Sequence, residues 1–204
     1  MSNMMFAGEK PKKGGKAAIL IHGRGASAGS ILSLQSYLNL NSYALVAPQA
    51  SGNTWYPYSF MAPDLSNQPK LEESLSQIQE AFDHLINAGV SSSDILILGF
   101  SQGACLSLEF SARNAQKFAG VVAFTGGLIG EKLNPSKYQG DYQGTPILIS
   151  GSKQDMHVPL TRMQESATLL ERLGAKVNLL SFNDAMHTIR EEEVDWVNKH
   201  LLGQ

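Results

Sequence analysis

The chain has 204 residues, of which 43% are hydrophobic and 17% charged, with a formal net charge of −2. This length and composition predict a single globular domain over residues 1–204, and the weak charge argues against nucleic-acid binding. The lone cysteine, Cys105, excludes an intramolecular disulfide.

The amino-terminal residues lack the apolar run and cleavage site of a secretory signal. No segment approaches the roughly 18 apolar residues of a membrane span, and the Cys/His spacings of a zinc site are absent. We therefore expect a cytoplasmic protein without stable membrane insertion, metal or cofactor.

Six short apolar runs alternate with helical patterns, which predicts an α/β fold with a mainly parallel sheet covered by helices on both faces. The runs are AAILI (17–21), YALVA (43–47), DILILGF (94–100), GVVAF (120–124), TPILIS (145–150) and KVNLLSF (176–182).

The helices are predicted from apolar side chains at helical spacing. One stripe runs from Leu71 to Leu85 with Gly89 as its C′ residue, and a second runs from Leu160 to Leu170. Thr188 and Glu191 match a capping box, which predicts the start of the last helix.

The pattern G-x-S-x-G occurs twice, as GASAG (25–29) and GFSQG (99–103). It marks a nucleophilic serine only where a strand ends in a sharp turn that opens a helix. GFSQG meets this condition because DILIL enters it directly and a helical pattern follows. Five residues separate the first strand from Ser27. We therefore predict Ser101 as the nucleophile and Ser27 as the cap of a helix beginning near Ala28.

A nucleophilic serine needs a base and an orienting carboxylate. In α/β folds with a G-x-S-x-G turn, the three residues follow in the order Ser, Asp or Glu, His. Asp155 and His187 each come directly after a later strand. Two other carboxylates are weaker candidates for the orienting role. Asp141 precedes its nearest strand, and Asp184 fits a role as a brace of the loop before His187. Among histidines, His157 is the rival base, whereas residues 22, 84 and 200 fit packing or surface roles.

LIHGRG, GFSQG, the D-x-x-V-P of residues 155–159 and the late histidine together resemble the small α/β-hydrolases of the phospholipase/carboxylesterase group, which includes acyl-protein thioesterases. The resemblance implies an α/β-hydrolase fold, hydrolysis of a small-molecule ester without metal or cofactor, and an oxyanion hole formed by the backbone N–H groups of Arg24 and Gln102. Arginine at position 24 departs from the pattern of the group. Its side chain is predicted either to recognise an acidic group of the substrate or to be engaged in an ion pair or solvated.

The segment between the strands ending at Phe124 and starting at Thr145 is too short for a lid domain. The aromatic loop 51–70 is the candidate wall of the substrate site, unless its rings only pack it onto the sheet. The predicted substrate-binding residues are Trp55, Tyr58, Phe60 and Leu128.

We expect a serine carboxylesterase for short- to medium-chain acyl or aryl esters. The alternatives are a thioesterase or lysophospholipase and, more remotely, a noncatalytic ligand-binding homologue. A homodimer is neither required nor excluded by the sequence.

Overall fold

The computed structural model describes residues 3–203. Their strands form one seven-stranded sheet in the order β1-β3-β2-β4-β5-β6-β7. All neighbouring strands are parallel except β1, which is antiparallel to β3. The six predicted strands are confirmed. The strands are β1 (Met4–Gly8), β2 (Lys16–Ile21), β3 (Tyr43–Pro48), β4 (Ile95–Phe100), β5 (Gly120–Phe124), β6 (Pro146–Ser152) and β7 (Lys176–Phe182).

The edge strand β1 is the element that the apolar runs did not predict. Its side chains are only partly buried, with Met5 47% and Phe6 57% exposed. It pairs with β3 from Met4 opposite Pro48 to Gly8 opposite Ala44. An edge strand packs on fewer neighbours than a central strand, so its sequence carries a weaker hydrophobic signal.

Helices cover both faces of the sheet, as predicted. Alternate residues of the central strands enter two separate cores, as the two-residue period of a strand requires. On one face lie α2 (Lys70–Asn87), α3 (Gln102–Arg113) and α4 (Leu160–Arg172), and on the other lie α1 (Ala28–Leu32) and α5 (Glu191–Val197).

The helix boundaries follow the predicted signals except at α5. Gly89 follows the end of α2 with a φ of 93°, as a C′ glycine does. The predicted capping box of Thr188 and Glu191 is wrong, because the N-cap of α5 is Arg190. Its backbone N–H donates to the Glu193 carboxylate at 2.5 Å. The loop that carries His187 thus runs two residues further before the helix begins.

The segment between β5 and β6 is fastened to the core by two buried charged side chains. Glu109 accepts hydrogen bonds from the Tyr138 hydroxyl (3.0 Å) and the Ile129 N–H (3.1 Å). Arg162 donates to the carbonyl oxygens of Leu128, Gly130 and Glu131. Within this fully described segment the only helix is a three-residue 3₁₀ turn, so it forms no lid domain. No helix of residues 3–203 is long and apolar enough to cross a bilayer.

Candidate active site

Ser101 lies on a sharp turn between β4 and α3, with φ 55° and ψ −116°. This is a costly conformation for a residue with a Cβ, and it persists only where the surroundings enforce it. The Ser101 N–H donates to the Phe124 carbonyl of the neighbouring strand at 3.0 Å. Two glycines allow the close packing: a Cβ at Gly99 would lie 2.3 Å from the Gly103 carbonyl carbon, and one at Gly103 would lie 2.0 Å from the Ile21 oxygen.

The structure brings Ser101, His187 and Asp155 into one hydrogen-bonded chain. His187 Nε2 lies 2.8 Å from the Ser101 hydroxyl oxygen, and His187 Nδ1 lies 2.7 Å from Asp155 Oδ2. An ionised carboxylate can only accept, so Nδ1 carries the ring proton and Nε2 is left to accept the serine hydroxyl proton. This is the protonation pattern that a general base needs.

Asp155 is held as a carboxylate by its hydrogen bonds. Burial raises its pKa, but the hydrogen bond from His187 and the N–H groups of Val158 and His157 together outweigh burial and lower the pKa below its ordinary value. The two N–H groups both donate to Oδ1, at 2.9 and 2.7 Å. The second oxygen is thereby left to orient the imidazole.

The lowered pKa of Asp155 predicts a stability change at acid pH. The unfolded chain protonates this carboxyl near its ordinary pKa of 3.8, so the stabilisation is complete above that pH and is lost as pH falls through the lower folded pKa. Urea unfolding between about pH 2.5 and 6 should show that Asp155→Asn loses this part of the rise in stability. Asp195→Asn, an exposed position, is the control. Parallel pH curves for wild type and Asp155→Asn would contradict the prediction.

The side chains of the rival carboxylates and of the rival histidine lie outside this chain of hydrogen bonds. Asp184 braces the loop before His187, since its Oδ1 accepts from Ser152 Oγ (2.7 Å), the Met186 N–H (2.9 Å) and Arg190 (2.6 Å). The Asp141 carboxylate accepts the Gln143 N–H, its one hydrogen bond within residues 3–203. The ring of His157 meets the His187 ring edge-on at 5.3 Å.

Two backbone N–H groups near Ser101 fit the predicted oxyanion hole. Among the hydrogen bonds described for residues 3–203, none uses the N–H of Arg24 or of Gln102. Gln102 is the first residue of α3, where unpaired N–H groups and the helix dipole favour an anion. Gly23 lets the loop approach the elbow, since a Cβ there would lie 3.4 Å from Ser101 Cβ and 3.2 Å from Phe100.

The loop that carries Arg24 is anchored by the buried His22. Its Nδ1 lies 2.7 Å from the Gly23 carbonyl and its Nε2 accepts the Ala50 N–H at 3.1 Å. Burial lowers the pKa of His22, with the hydrogen bond to Gly23 acting in the opposite direction. This neutral, fully hydrogen-bonded ring is a packing residue and has no access to substrate.

The side chains of the two oxyanion candidates hold the aromatic loop. Arg24 donates to the carbonyl oxygens of Pro57 (3.0 Å) and Tyr58 (2.8 Å). Gln102 donates to the Tyr56 carbonyl at 2.8 Å and accepts the Trp55 N–H at 3.2 Å. The family resemblance implied the backbone roles of both residues, but the sequence did not predict these side-chain contacts, because their partners lie more than 30 positions away.

A cavity of about 620 Å³ opens onto Ser101. Its wall includes Tyr58 and Phe60, two of the predicted substrate-binding residues. The whole lining comprises Gly23, Arg24, Ala26, residues 56–60, residues 100–102, Cys105, residues 156–158 and His187. The segment 156–158 was not predicted to contribute.

Trp55 and Leu128 do not reach the cavity, which corrects their predicted role. Trp55 is 1% exposed, and its indole N–H donates to the His22 carbonyl at 2.8 Å, at the start of the loop that carries Arg24. Leu128 is fully buried in the core against α4, and its N–H donates to Ser166 Oγ. Both side chains pack in the core. An aromatic or apolar residue in the sequence looks the same whether it packs the core or contacts a substrate.

Cys105 borders the cavity one helical turn beyond Ser101, but the residue is only 2% exposed. Burial raises its pKa to about 12, against the lowering effect of a hydrogen bond involving Gly127. The thiolate is therefore scarcely populated at neutral pH, and the residue acts as a small apolar side chain.

A family model described as Phospholipase/Carboxylesterase matches residues 3–202. The chain belongs to this family. It is a family of serine hydrolases with the α/β-hydrolase fold, in agreement with the sheet and elbow described above. Among solved structures, a phospholipase/carboxylesterase from Dyadobacter fermentans is 44% identical, with a TM-score of 0.97 over 99% of this chain and 97% of that chain.

Curated relatives of the chain are more distant. Acyl-protein thioesterase 1 of Schizosaccharomyces pombe is 29% identical over 68% of this chain, and a probable carboxylesterase SOBER1-like of Arabidopsis thaliana is 26% identical over 71%. The matched regions span 62% and 58% of the lengths of these two relatives. The family is therefore shared, whereas the activity and substrates of the relatives extend to this chain only as proposals.

Proposed function

We propose that the protein is a serine carboxylesterase that hydrolyses short- to medium-chain acyl or aryl esters through an acyl-enzyme intermediate. The observation that carries the proposal is the hydrogen-bonded chain from Ser101 through His187 to Asp155. Ser101 lies at the wall of an open cavity. Membership of a family of serine hydrolases supports it.

In the first half-reaction, Ser101 Oγ forms a bond to the ester carbonyl carbon while His187 Nε2 takes the hydroxyl proton. The carbonyl oxygen becomes an oxyanion, which accepts hydrogen bonds from the backbone N–H groups of Arg24 and Gln102. The carbon–oxygen bond to the alcohol then breaks, and His187 returns its proton to the departing alcohol oxygen. Asp155 remains ionised and stabilises the imidazolium.

In the second half-reaction, water takes the place of the alcohol. His187 accepts a proton from the water as its oxygen attacks the acyl carbon, and then returns it to Ser101 Oγ as the acyl bond breaks. The products are a carboxylic acid and the free serine. Ser101 and His187 already lie within hydrogen-bond distance, which is the geometry that general acid–base catalysis requires.

The cavity supports substrates of small to medium size. Its volume of about 620 Å³ lies within the usual range of roughly 300 to 1,000 Å³ for small-molecule sites. Tyr58, Phe60 and Met156 supply apolar contact for an acyl or aryl group. No lid segment lies between β5 and β6 to enclose a long chain.

The test is hydrolysis of p-nitrophenyl acetate, butanoate, octanoate and palmitate, together with labelling by a fluorophosphonate probe. We expect stoichiometric labelling and the highest kcat/KM at an intermediate chain length, with palmitate a poor substrate. Absence of both turnover and labelling would overturn the proposal and favour a noncatalytic ligand-binding protein.

A thioesterase is the second candidate, favoured by the name of the 29% identical acyl-protein thioesterase. The same residues would serve both reactions, which differ in the leaving group. A comparison of kcat/KM for matched butanoyl oxygen esters and thioesters separates them, because a thioesterase should prefer the thioester by more than its intrinsic reactivity.

A further inference from the structure

We propose that the Arg24 side chain selects esters that carry a carboxylate group. This choice of substrate class rests on the esterase function proposed above. The first observation is the charge of the cavity wall, whose described lining residues include Arg24 but neither aspartate nor glutamate. The carboxylate of Asp155 lies behind His187 with its side chain 1% exposed, and it is already compensated by three hydrogen bonds.

Arg24 has no counter-ion among the described residues. No carboxylate of residues 3–203 forms a salt bridge with it, although eight such pairs occur elsewhere. Its two hydrogen bonds go to neutral carbonyl oxygens. A guanidinium has five N–H donors, so three are not used by these two bonds.

The guanidinium of this exposed residue is held by two hydrogen bonds to the backbone. Pro57 and Tyr58 hold it from the loop, and that loop is held in turn by Gln102 at Tyr56 and by Asn67, which accepts the Tyr58 N–H at 2.9 Å. A side chain ordered before binding loses little conformational entropy when it forms further hydrogen bonds. An unneutralised, pre-ordered cation of this kind is suited to a carboxylate.

The position of Arg24 ties this recognition to the reacting bond. The N–H of the same residue is a candidate oxyanion donor, so the cation lies within one side-chain length of the ester carbonyl. A substrate carboxylate would therefore lie a few bonds from the scissile ester, either on the acyl chain or on the alcohol.

A purely structural role for Arg24 makes a different prediction. If the guanidinium only braces the aromatic loop, its loss should lower the hydrolysis of charged and neutral esters by the same factor. The informative quantity is therefore the ratio of kcat/KM for an anionic ester to that for its neutral counterpart, because any damage common to both substrates cancels.

The experiment uses two matched pairs with wild type, Arg24→Met and Arg24→Lys. Mono-p-nitrophenyl adipate against p-nitrophenyl hexanoate places the carboxylate on the acyl side, and para-acetoxybenzoate against its methyl ester places it on the alcohol side. We expect Arg24→Met to lower the ratio about tenfold or more for one pair, and Arg24→Lys, which keeps the charge without the planar fork, to lower it less. Raising salt from about 0.01 to about 1 M should lower the wild-type ratio.

Equal ratios in wild type and Arg24→Met for both pairs would overturn the proposal, while turnover of the neutral esters would leave the esterase function intact. Calorimetric titration of adipate into Ser101→Ala tests the anion site without any hydrolysis. It therefore separates failure of this site from failure of the proposed esterase function. Adipate binding that is lost in the Ser101→Ala, Arg24→Met double variant supports the anion site even if no ester is hydrolysed. Absence of adipate binding together with unchanged ratios rejects the site.

Discussion

Ser101→Ala is expected to lower kcat/KM for p-nitrophenyl butanoate by at least about 10⁴-fold, because the attacking oxygen is removed while the rest of the site stays in place. The oxyanion N–H groups and the cavity would still bind the ester, so the residual rate should exceed that in water. Fluorophosphonate labelling should disappear, since the probe forms its bond with the serine oxygen.

The matched control is Ser27→Ala, which changes the serine of the other G-x-S-x-G stretch. Ser27 caps α1, where its hydroxyl oxygen accepts the Ser30 N–H at 3.2 Å. Its replacement should cost about 1 kcal/mol of stability and preserve labelling. If instead Ser27→Ala abolishes labelling and Ser101→Ala retains it, the assignment of the nucleophile is wrong.

Gly103→Ala is expected to have the largest effect on folding. The added Cβ would lie 2.0 Å from the Ile21 oxygen and 2.7 Å from the His22 oxygen, both of them backbone atoms. No side chain can rotate away to relieve this overlap, so α3 must move off the end of β2. Overpacking of this severity should destabilise the protein by about 3 kcal/mol or more, measured as a lower urea midpoint.

Gly14→Ala is the control for this substitution, because Gly14 has a φ of 71° but no other group lies within 4 Å of the position that an added Cβ would take. It should cost only about 1 kcal/mol from backbone strain. Equal midpoints for the two variants would show that close packing at the elbow is not what requires Gly103.

The elements that were predictable are those whose signal is local in the chain. Five of the six predicted strands are nearly continuous apolar runs because central parallel strands are buried on both faces, whereas β7 at the sheet edge is only partly buried. The order of Ser101, Asp155 and His187 after three of these strands predicted their meeting, since the carboxyl ends of parallel strands share one edge of the sheet. The structure brings the three side chains together at that edge.

The failures share a different physical origin. Trp55 and Phe60 belong to the same aromatic loop, yet only Phe60 borders the cavity. Which ring turns inward depends on distant partners, such as the His22 carbonyl that accepts the Trp55 indole N–H. The start of α5 was predicted two residues too early, because Arg190 is placed by side-chain contacts to Asp184 and Ser152 in addition to the local hydrogen bond of its N–H to Glu193.

Arg24 and Gln102 each pair a backbone N–H at the candidate oxyanion hole with a side chain that fastens the loop 55–58. The wall of the cavity and the candidate catalytic donors are therefore not separable modules. Grafting the aromatic loop of a relative onto this scaffold should disturb turnover as well as selectivity unless both anchoring side chains are matched to the incoming backbone. Directed evolution of acyl preference would then progress further by varying residues 156–158, which border the same cavity from a different loop.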